Sequence, residues 1–165
     1  MANKKTILGA DVVKFDADQD GFNPVFRKTI DIVKADVGSS DYYAIARLPK
    51  GFAPRTAAVA VLEDLATANT NVTVAVAIGT AADEDGVVDD VSVLAASGTN
   101  HKAGTIAIAS LVAGTVASTA ATLNPVVVSG DTPVYVWAKF GAGVVKGKVE
   151  ITVAGDQMLT PAKAF

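Results

Sequence analysis

Apolar and polar residues alternate along this chain with a period of two, not with the wider spacing of a helix. In Asn71–Gly79, Val72, Val74, Val76 and Ile78 point one way and Thr73, Ala75 and Ala77 the other. Pro133–Phe140 sets Val134, Val136 and Ala138 against Tyr135, Trp137 and Lys139. Val145–Val153 sets Val149, Ile151 and Val153 against Lys148, Glu150 and Thr152, the signature of an antiparallel strand with one wet face. Asn71–Gly79 is small or apolar on both sides, which fits a strand covered twice or packed inside an assembly. Further strands are expected at Arg27–Lys34, Tyr42–Arg47, Thr56–Glu63, Val87–Leu94, Thr105–Leu111 and Val126–Val128. Helical signal is confined to Glu63–Asn69, enough for a turn or two.

Turn chemistry separates these segments. Pro49-Lys50-Gly51, Ser97-Gly98-Thr99-Asn100, Ser129-Gly130-Asp131 and Gly141-Ala142-Gly143 supply the proline, glycine and short polar side chains that turns require. Short strands at this spacing predict an all-β fold, an antiparallel β-sandwich or a barrel. The ends differ from the middle. Residues 1–25 form an extended N-terminal arm, 26–155 the sandwich, and 156–165 a short C-terminal tail. The arm carries Ile7, Leu8, Val12, Val13, Phe15 and Phe22 among Lys, Asp, Gly and Asn, too sparsely to bury them locally. With Phe26 at the start of the sandwich, these are the candidate contacts to a neighbouring chain.

Composition narrows the chemistry. Of 165 residues, thirty are alanine and twenty-five valine, while aromatics reach only 6%. The absence of cysteine excludes disulfides, thiol catalysis and thiolate metal sites. One histidine, His101, lies in the polar stretch SGTNHKAG with no G-x-S-x-G elbow in the chain, so it reads as a surface-loop residue and not a catalytic base. No G-x-x-x-x-G-K-[ST] phosphate loop occurs. The expectation is a protein that is not an enzyme and has no obligatory cofactor.

Charge points the same way. The formal net charge is −3, and residues 51–138 hold only Arg55 and Lys102 against eight acids, so no nucleic-acid partner is expected. The stretch Ala103–Gly130 is uncharged, but Gly, Ser, Thr, Asn and Pro fill twelve of its positions, so no membrane span is expected. The first fifteen residues lack the continuous apolar core of a secretory signal.

Two acidic clusters are candidate cation sites. Asp16, Asp18 and Asp20, followed by Gly21, match the first half of a calcium loop, but Arg27 stands where a bidentate Glu belongs. They are weak calcium candidates, against a plain solvated turn. Asp83-Glu84-Asp85-Gly86, with Asp89 and Asp90 behind, likewise reads first as solvated charge after a strand. Tyr42, Tyr43, Tyr135 and Trp137 lack interleaved basic residues, so packing is preferred over base or sugar stacking.

One longer pattern stands out. Asp41–Phe52 runs DYYAIARLPKGF, Ala57–Leu62 follows as an apolar strand, Val72–Gly79 leads into GTAADEDG, and PVYVWAKF–GAG–VVKGKVEITV closes the chain as a hairpin. Across residues 29–153 this order resembles the head decoration, or cement, proteins of tailed bacteriophages. That resemblance implies a β-sandwich, with the jelly roll among its forms, on the outer surface of the virion, made in the host cytoplasm. It would bind the major capsid protein between subunits, associate as a homotrimer and stabilise the shell. A sandwich that binds glycans or a host receptor, with calcium at Asp16–Asp20, is the competing expectation.

Overall fold

The structure is a computed structural model that describes residues 5–6, 25–39, 41–67, 70–111 and 131–157. Among the described residues nine strands follow in chain order: β1 Lys5–Thr6, β2 Val25–Asp31, β3 Tyr42–Leu48, β4 Phe52–Glu63, β5 Val74–Gly79, β6 Val88–Leu94, β7 Ile106–Ser110, β8 Val134–Phe140 and β9 Lys148–Gln157. No helix occurs among the described residues. The strands form two sheets, β1-β3-β8-β5-β6 and β2-β9-β4-β7, whose pairs are antiparallel except for the parallel two-residue β1 on β3. The fold is the expected all-β sandwich.

Pairing is nested. The strands β2 and β9 pair, then β3 with β8, β4 with β7, and β5 with β6 at the centre of the sequence. A long hairpin folded across itself has this order, so each successive pair falls in the alternate sheet. The expected closing hairpin is therefore corrected. β8 and β9 lie in different sheets, joined by Gly141–Gly147, which crosses the end of the sandwich. The crossing is possible because Gly147 adopts φ 85°, where a Cβ would meet the carbonyl oxygen of Asp64 at 2.4 Å. Val145 and Lys146 donate to the Leu65 carbonyl here, so β9 begins at Lys148 and not at Val145.

The inward faces follow the alternation. Val74, Val76 and Ile78 of β5 and Val134, Val136, Ala138 and Phe140 of β8 face Ala57, Val59 and Val61 of β4 and Val149, Ile151 and Val153 of β9. Each large side chain buried this way contributes roughly 1.5–3 kcal/mol by removal from water. Edge-on aromatic pairs pack within each sheet, Phe26 with Phe52 at 5.1 Å on the four-stranded sheet and Tyr43 with Phe140 at 5.7 Å on the five-stranded one. Strict alternation fails where the ladder bulges. Ile45 is left unpaired between Ala44 and Ala46, so Tyr43, Ile45 and Ala46 all reach the core.

The helical turn expected at Glu63–Asn69 does not form over residues 63–67, the described part of that stretch. The strand β4 continues through Glu63, and the chain then dips so that Leu65 and Ala66 are buried. Leu65 donates its N–H to His101 and accepts from β9's lead-in, so a helix would forfeit these bonds. Val126–Val128 lies outside the described residues.

Candidate functional site

The two sheets present opposite outer faces. On the five-stranded sheet, β3 contributes Tyr42 and Ala44, β8 contributes Tyr135, Trp137 and Lys139, and β5 contributes Ala77. Trp137 stands in register between Ala44 of β3 and Ala77 of β5, so small side chains flank the large one on both sides. Trp137 is only 3% exposed and Tyr42 7%, although both sit on the outward side, and Ala77 beneath them is buried. Trp137 donates its indole N–H to the Gly79 carbonyl at 3.1 Å, and its ring packs 5.6 Å from that of Tyr135. The buried rings of Tyr42 and Trp137 therefore offer no free face to a sugar, and the packing expectation stands for both, while Tyr135 is half-buried.

Charged groups complete this face. The Tyr42 hydroxyl lies 2.9 Å from Asp90 Oδ1 and 3.3 Å from Asp85 Oδ2, so its one proton serves either carboxylate. Lys139 donates to Tyr42 at 3.1 Å and to Asp90, and its ammonium stands 4.7 Å from the centre of the Tyr42 ring. Burial pushes the Tyr42 hydroxyl up to about 12, Asp90 adding to the rise and Lys139 opposing it. Burial by itself would lower Lys139, but its hydrogen bonds to Asp90 and Tyr42 outweigh this and hold it at about 12. The second acidic cluster is thus not simply solvated. Asp85 and Asp90 are drawn onto the sheet by a tyrosine more than forty residues away in sequence. The missed partner was Lys139; its place in the Tyr135–Trp137–Lys139 alternation was the available signal.

The four-stranded sheet is dressed differently. Its β2–β9 half carries ion pairs, Arg27 with Glu150 at 3.5 Å and, at the margin, Lys148 with Glu63 at 2.6 Å. Its β4–β7 half carries Ala58 and Ala60 in register with Ile108 and Ile106, and Leu62 beyond. Ile106 is 69% and Ile108 71% exposed. These isoleucines had not been singled out, yet the alternation of Thr105–Leu111 put them on one face.

The sequence candidates fare unevenly. Ile7, Leu8, Val12, Val13, Phe15 and Phe22, and the calcium candidates Asp16, Asp18 and Asp20, lie outside the described residues. Phe26 departs from its proposed contact role: it is buried in the core against Phe52. The surface-loop placement of His101 is also overturned, since the residue is 1% exposed. Its loop folds inward because Asp64 accepts from the Ala103 N–H at 2.9 Å and from Lys102 at 3.1 Å, while buried Asn100 donates to the Val72 carbonyl at 2.5 Å. Neither ring nitrogen of His101 has a partner among the described residues, a burial that costs stability. The described residues contain no group of three or more His, Cys, Asp or Glu placed to hold a metal, and no helix long and apolar enough to cross a membrane.

No protein-family model matches the chain, and no curated protein matches it. Among solved structures, the cyanophage Pam1 capsid asymmetric unit has a chain similar at TM-score 0.47 and 18% identity, over 82% of this chain and 86% of that one. The capsid of Ralstonia phage GP4 has a chain similar at TM-score 0.48 and 21% identity, over 88% of each. Likenesses of this degree carry no argument about what this chain does.

Proposed function

We propose that the chain is a structural protein of a tailed-phage head, one that decorates and cements the capsid by binding between its subunits. The observation that carries this reading is where the resembling motifs fall. Leu-Pro-Lys-Gly is the turn from β3 in one sheet to β4 in the other, with Leu48 buried and Gly51 at φ 84°. GTAADEDG joins the central pair β5 and β6, and GAGVVKG carries β8 across to β9. The motifs thus occupy joints that set the sandwich's connectivity. The nested pairing of β2 to β9 supports reading that sandwich as a jelly roll. The work of such a protein is contact with the major capsid protein and with its own copies, as trimers, on the outside of the shell. The parallel pairing of Lys5 and Thr6 with Tyr43 and Ala44 supports an arm that leaves along the edge of the five-stranded sheet.

Cryo-EM of heads assembled with and without the chain tests this. Extra density on the outer shell at lattice-related positions is expected, together with earlier DNA loss on heating when the chain is omitted. Density confined to the tail, or no density, would overturn it. Deleting residues 1–24 should leave the sandwich folded and weaken attachment to heads; full attachment would remove the arm from the account.

A further inference from the structure

We infer that the outer edge of β7 pairs with the β7 edge of a second copy of the chain, across a two-fold axis at Ile108, to build one continuous sheet. β7 ends the order β2-β9-β4-β7, and no strand among the described residues pairs with its far side. The Leu111 N–H donates to Arg55 and the Thr105 carbonyl accepts from Val61, so these odd-numbered residues turn their backbone toward β4. By the alternation of an antiparallel ladder, Ile106, Ile108 and Ser110 turn their N–H and C=O groups outward. The same residues carry the exposed side chains.

Exposed edges are ordinarily guarded by charge, proline or a bulge. The opposite edge of this sheet obeys that rule, since β2 carries Arg27, Lys28 and Asp31. β7 reads Ile-Ala-Ile-Ala-Ser and carries no guard. A second copy matches it best on charge. Antiparallel pairing about Ile108 sets Ile108 against Ile108, Ala107 against Ala109 and Ile106 against Ser110, so no charge is desolvated and no like charges meet. Lys102, just before the strand, is already neutralised by Asp64. The ion pair Arg27–Glu150 lies on strands away from the seam. A five-residue edge buries far less than the ~800 Å² per partner of a standard interface, so the association is weak and grows with concentration. The inference stands apart from the capsid role. The seam joins copies in pairs whatever three-fold contacts exist elsewhere.

The chain lacks cysteine, which makes a cross-linking test clean. Opposed residues of an antiparallel hydrogen-bonded pair have Cα atoms about 5.5 Å apart, within disulfide reach. Full-length Ile108→Cys should form a disulfide-linked dimer on mild oxidation, and Thr29→Cys on the guarded β2 edge should not. In sedimentation equilibrium the unmodified chain should dimerise with rising concentration. Ile108→Lys and, independently, Ile106→Lys should weaken this by about tenfold or more. Circular dichroism melts should show both variants folded, since both side chains are exposed. Equal cross-linking at 108 and 29, a monomer at all concentrations, or an oligomer indifferent to both lysines would overturn the seam. None of these outcomes would touch the binding of the chain to heads, which the cryo-EM experiment reads separately.

Discussion

The outer faces of the two sheets use similar residues to opposite ends. On the five-stranded sheet, Ala44 and Ala77 flank Trp137, and almost nothing of Tyr42 or Trp137 is exposed. On the four-stranded sheet, Ala58 and Ala60 lie beside two isoleucines that stand up into solvent at the edge. The first face is closed by its own chain, with an ion pair and one hydroxyl bond, which either Asp90 or Asp85 accepts, fastening the cover. No described residue covers the second. Low-profile alanine therefore does not determine whether a face is finished; the neighbouring strands decide by supplying, or withholding, a side chain long enough to reach across.

The sharpest way to break this contrast is to remove the cover. Trp137→Ala should cost about 3–5 kcal/mol, a core-like penalty for an outward-facing residue. Urea unfolding followed by circular dichroism measures it, since the substitution also removes the chain's one tryptophan. A loss below about 1 kcal/mol, the scale of a surface position, would make the two faces alike. Asp90→Ala should cost less, about 1–3 kcal/mol, because Lys139 and Tyr42 lose their main acceptor while Asp85 remains nearby. The same melts measure it, and Asp90→Asn should recover part of the loss.

Alkaline pH gives a third test. Tyr42 is raised from 10.0 to about 12 and Lys139 from 10.5 to about 12, so both hold their protons longer folded than unfolded. Their contribution to stability is whole below about pH 10 and drains away as pH rises toward 12. Urea midpoints across that range should fall, and Tyr42→Phe should flatten part of the decline. A late tyrosinate absorbance, missing in that variant, would identify the group. The smallest effect belongs to the open face: Ile106→Thr should change monomer stability by no more than about 0.5 kcal/mol. A penalty of several kcal/mol would mean that the isoleucine is covered within its own chain.

Strand positions were largely legible because the inward valines impose a period that burial then reproduces, as in the alternating exposure of β9. Boundaries moved where backbone bonds outside the ladder intervened, as at Leu65, which takes Val145 and Lys146 out of the strand. The outer face of the five-stranded sheet was legible only in part. Tyr135, Trp137 and Lys139 were placed on one face by sequence, but their fastening to Asp90 and Tyr42 depends on strands brought together from distant parts of the chain. His101 was misplaced because its polar neighbours describe the loop and not what lies beneath it. Phe26 was misplaced because one aromatic at the end of a strand looks the same whether a core or a neighbour receives it.

The sequence by itself determined an all-β chain with little catalytic chemistry, since period-two valines fit nothing else and one histidine without cysteine leaves few options. Tertiary structure alone decided that the last two strands part company into different sheets, and that one alanine-lined face is covered and the other bare. Both follow from strand order. A side chain's exposure depends on which strand lies beside it, and local sequence carries no record of that neighbour.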